Sequence, residues 1–471
     1  MIKILNKALG LLIPVLVGIG LWLIPVPNGL DPKGWQLFSI FVPTILGIVF
    51  KPLPMGAIAL LGLLVTTLTG VLDLANEGLT GFSSPVIWLI VYVFFIARGV
   101  IKSQLGIRIA YLFVRLLGRR TLGLGYGIVL TELIIAPVVP SNSARAGGVM
   151  FPILKAIAES LGSNPVDGTE KKVGSFLTQV CYQGNVITSA MFLTAMAANP
   201  MAQAIAAKQG IIITWANWFL AALIPGILSI FIIPLVIYFI YPPQEKKLPE
   251  AVTIAKRKLN EMGPMSSSEL TMSGIFCFLL FSWMFGEYWG ISSTTTALIG
   301  LCLLLLTNVL TWKDVLNEHE AWHTFCWMAV LVMMSTYLEK FGFIDWFSNS
   351  MSRFVQGWSW YYAFSALTLI YFYSHYFFAS NTAHVSSMYA AFLAVCLSVG
   401  TPPLLAALCL GFFSSLFSST THYANSAAAV LFGTNYVPIS AWWGIGLVVS
   451  FINLAIWFGA GGIWWKILGI W

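Results

Sequence analysis

Charged side chains are scarce in this chain. Asp, Glu, Lys and Arg make up 9% of its 471 residues, and 58% of the residues are hydrophobic, whereas soluble domains carry about 25% charged residues. The stretches Ile211–Tyr241 and Trp442–Ile463 contain no charged residue at all, and each exceeds the roughly 18 residues that mark a membrane-spanning helix. A water-soluble protein is therefore excluded, and the sequence predicts an all-α polytopic membrane protein.

Several chemical signatures are also missing. The six cysteines form no C-x-x-C pair, so neither a disulfide framework nor a thiolate metal site is expected. No G-x-x-x-x-G-K-[ST] motif is present, which leaves ATP-driven pumping without support. The net charge of +7 lies in short loops beside apolar runs, where it indicates topology rather than a nucleic-acid partner. We predict that the protein is not an enzyme and needs no cofactor.

The apolar runs predict about eleven transmembrane helices. Lys3 and Lys7 precede the first run, Leu11–Ile24, and no small-residue cleavage site follows it, so we expect a retained first helix. The positive-inside rule places the N-terminus in the cytoplasm and the C-terminus outside, in a bacterial inner membrane. Arg98–Arg120 reads as an amphipathic helix on the membrane surface. The predicted spans are 8–25, 36–50, 53–72, 85–99, 173–198, 213–241, 271–290, 294–311, 324–338, 403–418 and 441–466.

A repeated tripeptide divides the chain into two halves. Ser141-Asn142-Ser143 and Ser380-Asn381-Thr382 start 239 residues apart, and Trp88 and Trp327 show the same offset. After the N-terminal helix (1–30), we expect one repeat over 31–243, a cytoplasmic linker over 244–269, and a second repeat over 270–471. Five crossings in each repeat make the second an inverted copy, as in many secondary transporters.

Each tripeptide interrupts an apolar run whose arms are short for a full crossing. We therefore predict re-entrant hairpins at about 122–160 and 361–398, with their tips meeting at membrane depth. Two further polar stretches, 181–189 and 418–426, read as unwound helix centres. They add Thr188, Ser189, Thr420 and Thr421 to the predicted site. Helix N-termini at such breaks favour an anionic substrate.

The tripeptides, together with Thr421-His422-Tyr423, Trp442-Trp443 and Trp464-Trp465-Lys466, resemble the divalent anion/sodium symporter family. The closest likeness is to its sodium-independent exchangers, which include plastidic 2-oxoglutarate/malate translocators. The resemblance implies a homodimer with scaffold and transport domains and an elevator mechanism. It also implies that the two tips bind a C4 or C5 dicarboxylate such as 2-oxoglutarate, malate, succinate or fumarate. Ser143 replaces the family's commoner Thr and keeps the hydroxyl.

Two basic residues depart from the sodium-coupled pattern of this family. Arg145 and His384 each follow a tripeptide by two residues, and we predict that they supply positive charge in place of sodium, with His422 as a third candidate. An Arg left unpaired when substrate departs would hinder the return of an empty carrier, which predicts antiport. Glu132 is a candidate partner for Arg145. A sodium-coupled symporter and a passive channel remain alternatives.

One motif suggests a different class of protein. His319-Glu320-Ala321-Trp322-His323 matches H-E-x-x-H, in which two imidazoles bind zinc and Glu is the general base of a metalloprotease. The match lies at the charged start of a predicted span, without a recognisable third ligand, so an intramembrane protease is the weaker alternative. Aromatic residues of the predicted scaffold provide a clue to the dimer surface: Trp35, Trp283, Trp289 and Trp312.

Overall fold

The computed structural model describes residues 2–352 and 357–471. The side chains of residues 2–9 lie outside the description, and with them the Lys3 and Lys7 charges used for the topology. Over the described residues the chain is helical, apart from one isolated bridge between Arg120 and Lys247. The first half contains α1 (Ile2–Leu23), α2 (Pro32–Phe50), α3 (Met55–Leu68), α4 (Pro85–Lys102), α5 (Leu105–Leu117), α6 (Thr121–Ile135), α7 (Phe151–Ser160), α8 (Gly174–Met191), α9 (Ala198–Lys208), α10 (Trp215–Ile240) and α11 (Pro249–Met262).

The second half has a similar order of elements. Its helices are α12 (Ser267–Phe285), α13 (Ser293–Leu306), α14 (Trp312–Leu316), α15 (His319–Lys340), α16 (Phe343–Ser352), α17 (Trp360–Tyr373), α18 (Asn381–His384), α19 (Ala390–Ser398), α20 (Pro403–Leu416), α21 (Ser426–Phe432), α22 (Ile439–Ile456) and α23 (Gly462–Ile467). Short 3-10 turns lie at Thr80–Ser83, Ala136–Val138, Pro165–Asp167, Leu193–Ala195, Gly286–Trp289, Ser374–Phe377 and Phe417–Thr420, and π-helical turns at Leu74–Gly78, Ala144–Met150, Val385–Tyr389 and Trp457–Gly461.

Local sequence explains where several of these helices begin. Asp31 caps α2 by accepting a hydrogen bond from the Lys33 amide, and Pro32 occupies the first position of that helix, where its missing N–H costs nothing. Thr214 and Ser266 begin α10 and α12 with reciprocal capping boxes. These caps satisfy amides that would otherwise lack partners at a helix start.

Ten of the eleven predicted spans coincide with apolar helices. In the described residues, eight helices are long and apolar enough to cross a membrane, and three shorter apolar helices lie at Gly10–Leu23, Met55–Leu68 and Ser293–Leu306. The predicted span at 173–198 does not meet these criteria, because the polar side chains of α8 make it less apolar; α8 is also buried along its whole length. Conversely, Thr121–Val138 meets them although it was predicted as a hairpin arm.

The two tripeptides lie in hairpins of similar construction. In the first, α6 and the turn Ala136–Val138 lead to Ser141, and a π-helical turn continues into α7. In the second, α17 and the turn Ser374–Phe377 lead to Ser380, and a π-helical turn continues into α19. Each tripeptide therefore stands at the start of a helical arm, close to the offset of 239 residues read from the sequence.

One of the two predicted helix breaks is wrong. The stretch 181–189 is continuous helix within α8, and the chain leaves helical geometry only at Phe192, where φ is −124° and ψ is 133°. The polar side chains of this stretch leave the helix intact: the Gln183 amide donates to the Ser419 carbonyl of another element, and the Thr188 hydroxyl donates to the Asn185 carbonyl within α8. In the second half the prediction is confirmed: α20 ends at Leu416 and Thr421 is extended.

Residues 244–269 contain α11 and the start of α12. The α11 helix packs on α5, and Arg108 of α5 binds the Glu269 carboxylate at 2.5 Å and the Gly263 carbonyl at 2.9 Å. The predicted surface segment 98–120 is divided at Gln104, whose left-handed backbone (φ 61°) separates α4 from α5. Residues 263 and 269 are therefore held against α5 by Arg108.

Candidate functional site

Both tripeptides line a single cavity of about 840 Å³. All six tip residues, Ser141, Asn142, Ser143, Ser380, Asn381 and Thr382, contribute to its wall. The remaining wall includes residues 51–55, between α2 and α3, together with Phe94 of α4, Glu320 and His323 of α15, and Met196. Segments that are 239 residues apart in the sequence therefore meet at one site.

The hydroxyl groups make the same network at each tip. Ser141 Oγ accepts a hydrogen bond from the Ala144 amide at 3.2 Å and lies 3.1 Å from Ser143 Oγ. In the second tip, Ser380 Oγ accepts from the Ala383 amide at 3.4 Å and lies 2.9 Å from Thr382 Oγ1. Each tip is thus a capped helix N-terminus facing the cavity, which carries partial positive charge and favours an anion.

The two tip asparagines differ in their surroundings. The Asn381 side chain is buried, donates to the Ser414 carbonyl at 3.1 Å and accepts from Ser418 Oγ at 2.9 Å. The Asn142 side chain is half-buried. The Asn185 carboxamide donates to the backbone carbonyl of Asn142 at 3.3 Å and not to its side chain. In this arrangement the Asn142 carboxamide is available to a ligand, whereas that of Asn381 is held by its neighbours.

Arg145 lies behind the first tip and does not line the cavity. Its guanidinium is fully buried and binds the Glu132 carboxylate at 2.9 Å. The other guanidinium nitrogens donate to the Val139 and Ala195 carbonyls and to Ser189 Oγ, each at 2.5 Å. Two of these oxygens belong to the irregular backbone before the tip and after α8. The Arg145 guanidinium is therefore surrounded by carbonyl, hydroxyl and carboxylate oxygens.

The expectation that Arg145 is unpaired in the empty carrier is wrong. Glu132, also fully buried, supplies a counter-charge, and Asn185 donates to the same Glu132 oxygen at 3.1 Å. Proximity in space explains the pairing, since Glu132 lies near the end of α6 and Arg145 on the returning arm. The pair is neutral as a unit, so Arg145 alone cannot make the return of an empty carrier unfavourable.

His384, the counterpart of Arg145, is also buried behind its tip. Its ring stacks between Phe378 and Phe417, with both centroids at 4.5 Å. Its Nδ1 lies 3.1 Å from His375 Nδ1, and its Nε2 lies 3.1 Å from Ser374 Oγ. No acidic side chain pairs with it among the described residues, in contrast to Arg145.

The hydrogen bonds around His384 limit where its protons can lie. His375 Nε2 is 3.1 Å from the Ala424 carbonyl oxygen, which only accepts, so this nitrogen carries a proton. A neutral His375 then accepts at Nδ1 and His384 donates. The Ser374 hydroxyl determines whether the other nitrogen of His384, Nε2, carries a proton. If the hydroxyl donates to Nε2, this nitrogen is unprotonated and the ring is neutral. If the hydroxyl donates instead to the Tyr371 carbonyl, 2.9 Å away, Nε2 donates to the hydroxyl and the ring is positively charged.

The other predicted site residues do not reach the cavity. Thr188, Ser189, Thr420 and Thr421 are buried, and Ser189 binds Arg145 instead. His422 accepts a hydrogen bond from the Trp443 indole at Nδ1, 3.0 Å away. Ser189 therefore supports Arg145, and the other four residues do not line the cavity.

Sequence reasoning did not assign several other residues to the wall of this cavity. Lys51 lies there with an exposed side chain and no ion pair among the described residues. Glu320 and His323, part of the motif that suggested a protease, also line the cavity, and His323 Nε2 accepts from the Gly56 amide at 3.4 Å. No group of three or more potential metal ligands occurs within residues 2–352 and 357–471. Helices far apart in sequence bring these residues together, so no local pattern could reveal them.

The helical fold, the apolar spans and the two tips at one cavity define a secondary membrane transporter. A family signature described as "Sodium:sulfate symporter transmembrane region" matches residues 5–471. The chain belongs to this family, the divalent anion/sodium symporters. It is thus an integral multi-pass membrane protein and a transporter rather than an enzyme.

Similar proteins occur in bacteria and plants. The "Putative malate transporter YflS" of Bacillus subtilis is 53% identical over 466 residues, which cover 99% of this chain and 97% of that protein. The "Dicarboxylate transporter 1, chloroplastic" of Arabidopsis thaliana is 47% identical over 466 residues, covering 98% and 83%. The crystal structure of the Alcanivorax borkumensis YdaH transporter has the same fold, with a TM-score of 0.55, 13% identity and coverage of 99% and 98%.

Proposed function

We propose that this protein exchanges C4 and C5 dicarboxylates, such as malate, succinate, fumarate and 2-oxoglutarate, across a bacterial inner membrane without sodium. The observation that carries the proposal is one cavity lined by two similar, capped helix N-termini. Each N-terminus suits one carboxylate. The names of the relatives, a malate transporter and a dicarboxylate transporter, agree with a substrate that carries two.

Sodium independence is supported by the cage around Arg145. Carbonyl and hydroxyl oxygens of the kind that bind sodium are already occupied by the guanidinium, and this charge stays with the protein when substrate leaves. His384 occupies the corresponding position in the second half and lacks an acidic partner among the described residues. A sodium-coupled symporter is the competing proposal, and it needs cation sites elsewhere.

Exchange must be explained by the tips rather than by Arg145. A buried donor or acceptor left without a partner costs about 1–3 kcal/mol. When the cavity closes over an empty site, the Asn142 carboxamide would be left without a partner at a cost of about 1–3 kcal/mol, whereas the hydroxyls of Ser143 and Thr382 keep their hydrogen bonds to Ser141 and Ser380. An increase of about 2 kcal/mol slows a step roughly thirtyfold. The loaded carrier, in which a carboxylate satisfies this carboxamide, crosses faster.

The transport cycle we propose is an elevator in a homodimer with inverted repeats, a cytoplasmic N-terminus and an external C-terminus. Two of the four tryptophans predicted for the dimer surface remain candidates for it. Trp35 and Trp283 are buried, and their indoles donate to carbonyls within the chain. Trp289 and Trp312 are exposed by 58% and 62%, so these two are the ones available to a partner.

Replacing Asn142 by Ala tests the site. Purified protein in malate-loaded proteoliposomes should take up labelled malate, and Asn142→Ala should lower the rate at least tenfold, the value of about one hydrogen bond to a charged group. Asn260→Ala, an exposed residue of α11, is the matched control and should transport normally. Wild-type uptake by Asn142→Ala would overturn the assignment of the tips.

A further inference from the structure

A second, smaller cavity lies far from the tips in sequence, between the end of α5 and the start of α11. Its volume is about 420 Å³, and it is lined by Arg119, Arg120, Lys247, Pro249 and Val252. Three of these five residues are basic and none is acidic. This composition is unlike that of the transport cavity, which is lined by Lys51 and Glu320 among mostly uncharged residues.

The backbone holds the three basic residues together. Arg120 and Lys247 form an antiparallel bridge, and the Leu248 amide donates to the Arg119 carbonyl at 2.9 Å. The Thr121 amide donates to the Lys246 carbonyl at 3.2 Å. A short paired segment thus fixes Arg119 and Arg120 beside Lys247, although 127 positions separate residues 120 and 247 in the sequence. Their convergence is a built feature of the fold rather than a chance meeting of mobile side chains.

The three charges have no protein counter-charge. All three side chains are exposed, and none forms an ion pair within the described residues, where six such pairs occur. Glu245 and Glu250 lie close in the sequence, but neither lines the cavity or pairs with its bases. Three neighbouring cations without an anion repel one another, so a bound anion would relieve this repulsion.

The surroundings place this cavity at a membrane surface. Leu112 and Leu116, on the helix that ends just before Arg119, are exposed by 47% and 72%. Phe239 and Ile240, at the end of the apolar span α10, are exposed by 72% and 45%. Large exposed apolar side chains beside basic residues are typical of the boundary between acyl chains and headgroups. The loop charges assign this side to the cytoplasm.

We propose that Arg119, Arg120 and Lys247 form a binding site for a phosphate group, supplied by the headgroup of an anionic phospholipid or by a free phosphate. The planar guanidinium matches phosphate oxygens in a bidentate geometry, and Lys adds a point charge. Basic pockets beside transmembrane helices on the cytoplasmic side bind such headgroups. This site is independent of the proposed transport function.

The site also has a structural consequence. Arg119 and Arg120 follow the amphipathic helix of the first half, whereas Lys247 belongs to the segment that joins the halves. A phosphate shared by the three side chains would brace this junction at the membrane surface. Bound anionic lipid should therefore raise the thermal stability of the purified protein.

Native mass spectrometry can count lipids bound to the purified protein after addition of phosphatidylglycerol or phosphatidylcholine. The wild type should retain phosphatidylglycerol, and the triple variant Arg119→Gln, Arg120→Gln, Lys247→Gln should lose about a hundredfold in apparent affinity, from the loss of three surface charges. The matched control replaces three other exposed basic residues by Gln, namely Arg115, Lys171 and Lys256. It should retain binding.

Further measurements distinguish a lipid headgroup from a free phosphate and define the results that would overturn the site. Inorganic phosphate that stabilises the wild type in phosphatidylcholine nanodiscs, without any preference for phosphatidylglycerol, would identify a free phosphate as the ligand and support the site. Equal losses in the triple variant and the control would show diffuse surface charge and overturn it, as would binding of neither probe by the wild type. If the triple variant does not fold, Arg119→Lys with Arg120→Lys keeps the charge, and undiminished affinity in that variant would overturn the bidentate geometry.

Discussion

Replacing Glu132 by Gln should destabilise the protein strongly. The substitution preserves the size of the side chain but removes the negative charge that lies 2.9 Å from the Arg145 guanidinium, in a place where neither side chain is exposed. Breaking a buried ion pair from one side costs about 3–5 kcal/mol, because the remaining charge loses its partner. The Val139 and Ala195 carbonyls still accept from Arg145, but they carry no net charge.

The same reasoning predicts a particular pattern in a double-mutant cycle. Removing both charges, in Glu132→Gln with Arg145→Met, should restore much of the stability, since no uncompensated charge stays buried. Unfolding by titration with a denaturing detergent, followed by the fluorescence of the 19 tryptophans, measures these differences.

A control for the lost charge lies in the cavity wall. Glu320→Gln removes an exposed carboxylate and should change stability by no more than about 0.5 kcal/mol. The reasoning is refuted if Glu132→Gln is as stable as Glu320→Gln. It is also refuted if Glu132→Gln with Arg145→Met is no more stable than the less stable of the two single variants.

Three other outcomes are expected. Asn381→Ala should lower thermal stability more than Asn142→Ala, by about 1–3 kcal/mol, since it leaves the partners of a buried carboxamide unpaired; equal melting temperatures would contradict the assigned contacts. Lys51→Met should raise the KM for dicarboxylate and leave the other kinetic parameters unchanged, because this exposed base attracts the anion to the cavity. An unchanged KM at low ionic strength would contradict that role. A hydrogen bond from Lys102 lowers the pKa of Asp314 to about 2. The stabilisation it provides is complete above the unfolded-state pKa of about 3.9 and is lost as the pH falls towards 2. Because Lys102 is 39% exposed, it amounts to less than about 1 kcal/mol, and Asp314→Asn should lack this acid-dependent component in melting curves.

Much of the site could be located from the sequence because its signals are local. A polar tripeptide within an apolar run marks irregular backbone that a bilayer tolerates only inside protein, and its recurrence 239 residues later identifies Ser141 and Ser380 as related. The hydrophobic runs likewise mark most of the spans, since length and apolar composition suffice for them.

Contacts between distant elements could not be predicted in the same way. The α8 helix was expected to break at its polar residues, but Gln183 and Asn185 bond to other elements and the helix continues. The pairing of Glu132 with Arg145 depends on how the hairpin arms pack, and the sequence alone left it open. Lys51 follows α2 and His323 lies in α15, and the sequence around them gave no indication that both line the same cavity.

Counterflow in proteoliposomes tests the central claim, that the protein is a sodium-independent dicarboxylate exchanger. Vesicles loaded with unlabelled malate and vesicles loaded with buffer are each given labelled malate, with and without an inward sodium gradient. We predict rapid uptake only into the malate-loaded vesicles, at a rate that sodium does not change. Uptake into buffer-loaded vesicles driven by the sodium gradient would contradict exchange and favour a symporter, and failure to transport any of the four dicarboxylates would contradict the assignment of substrate.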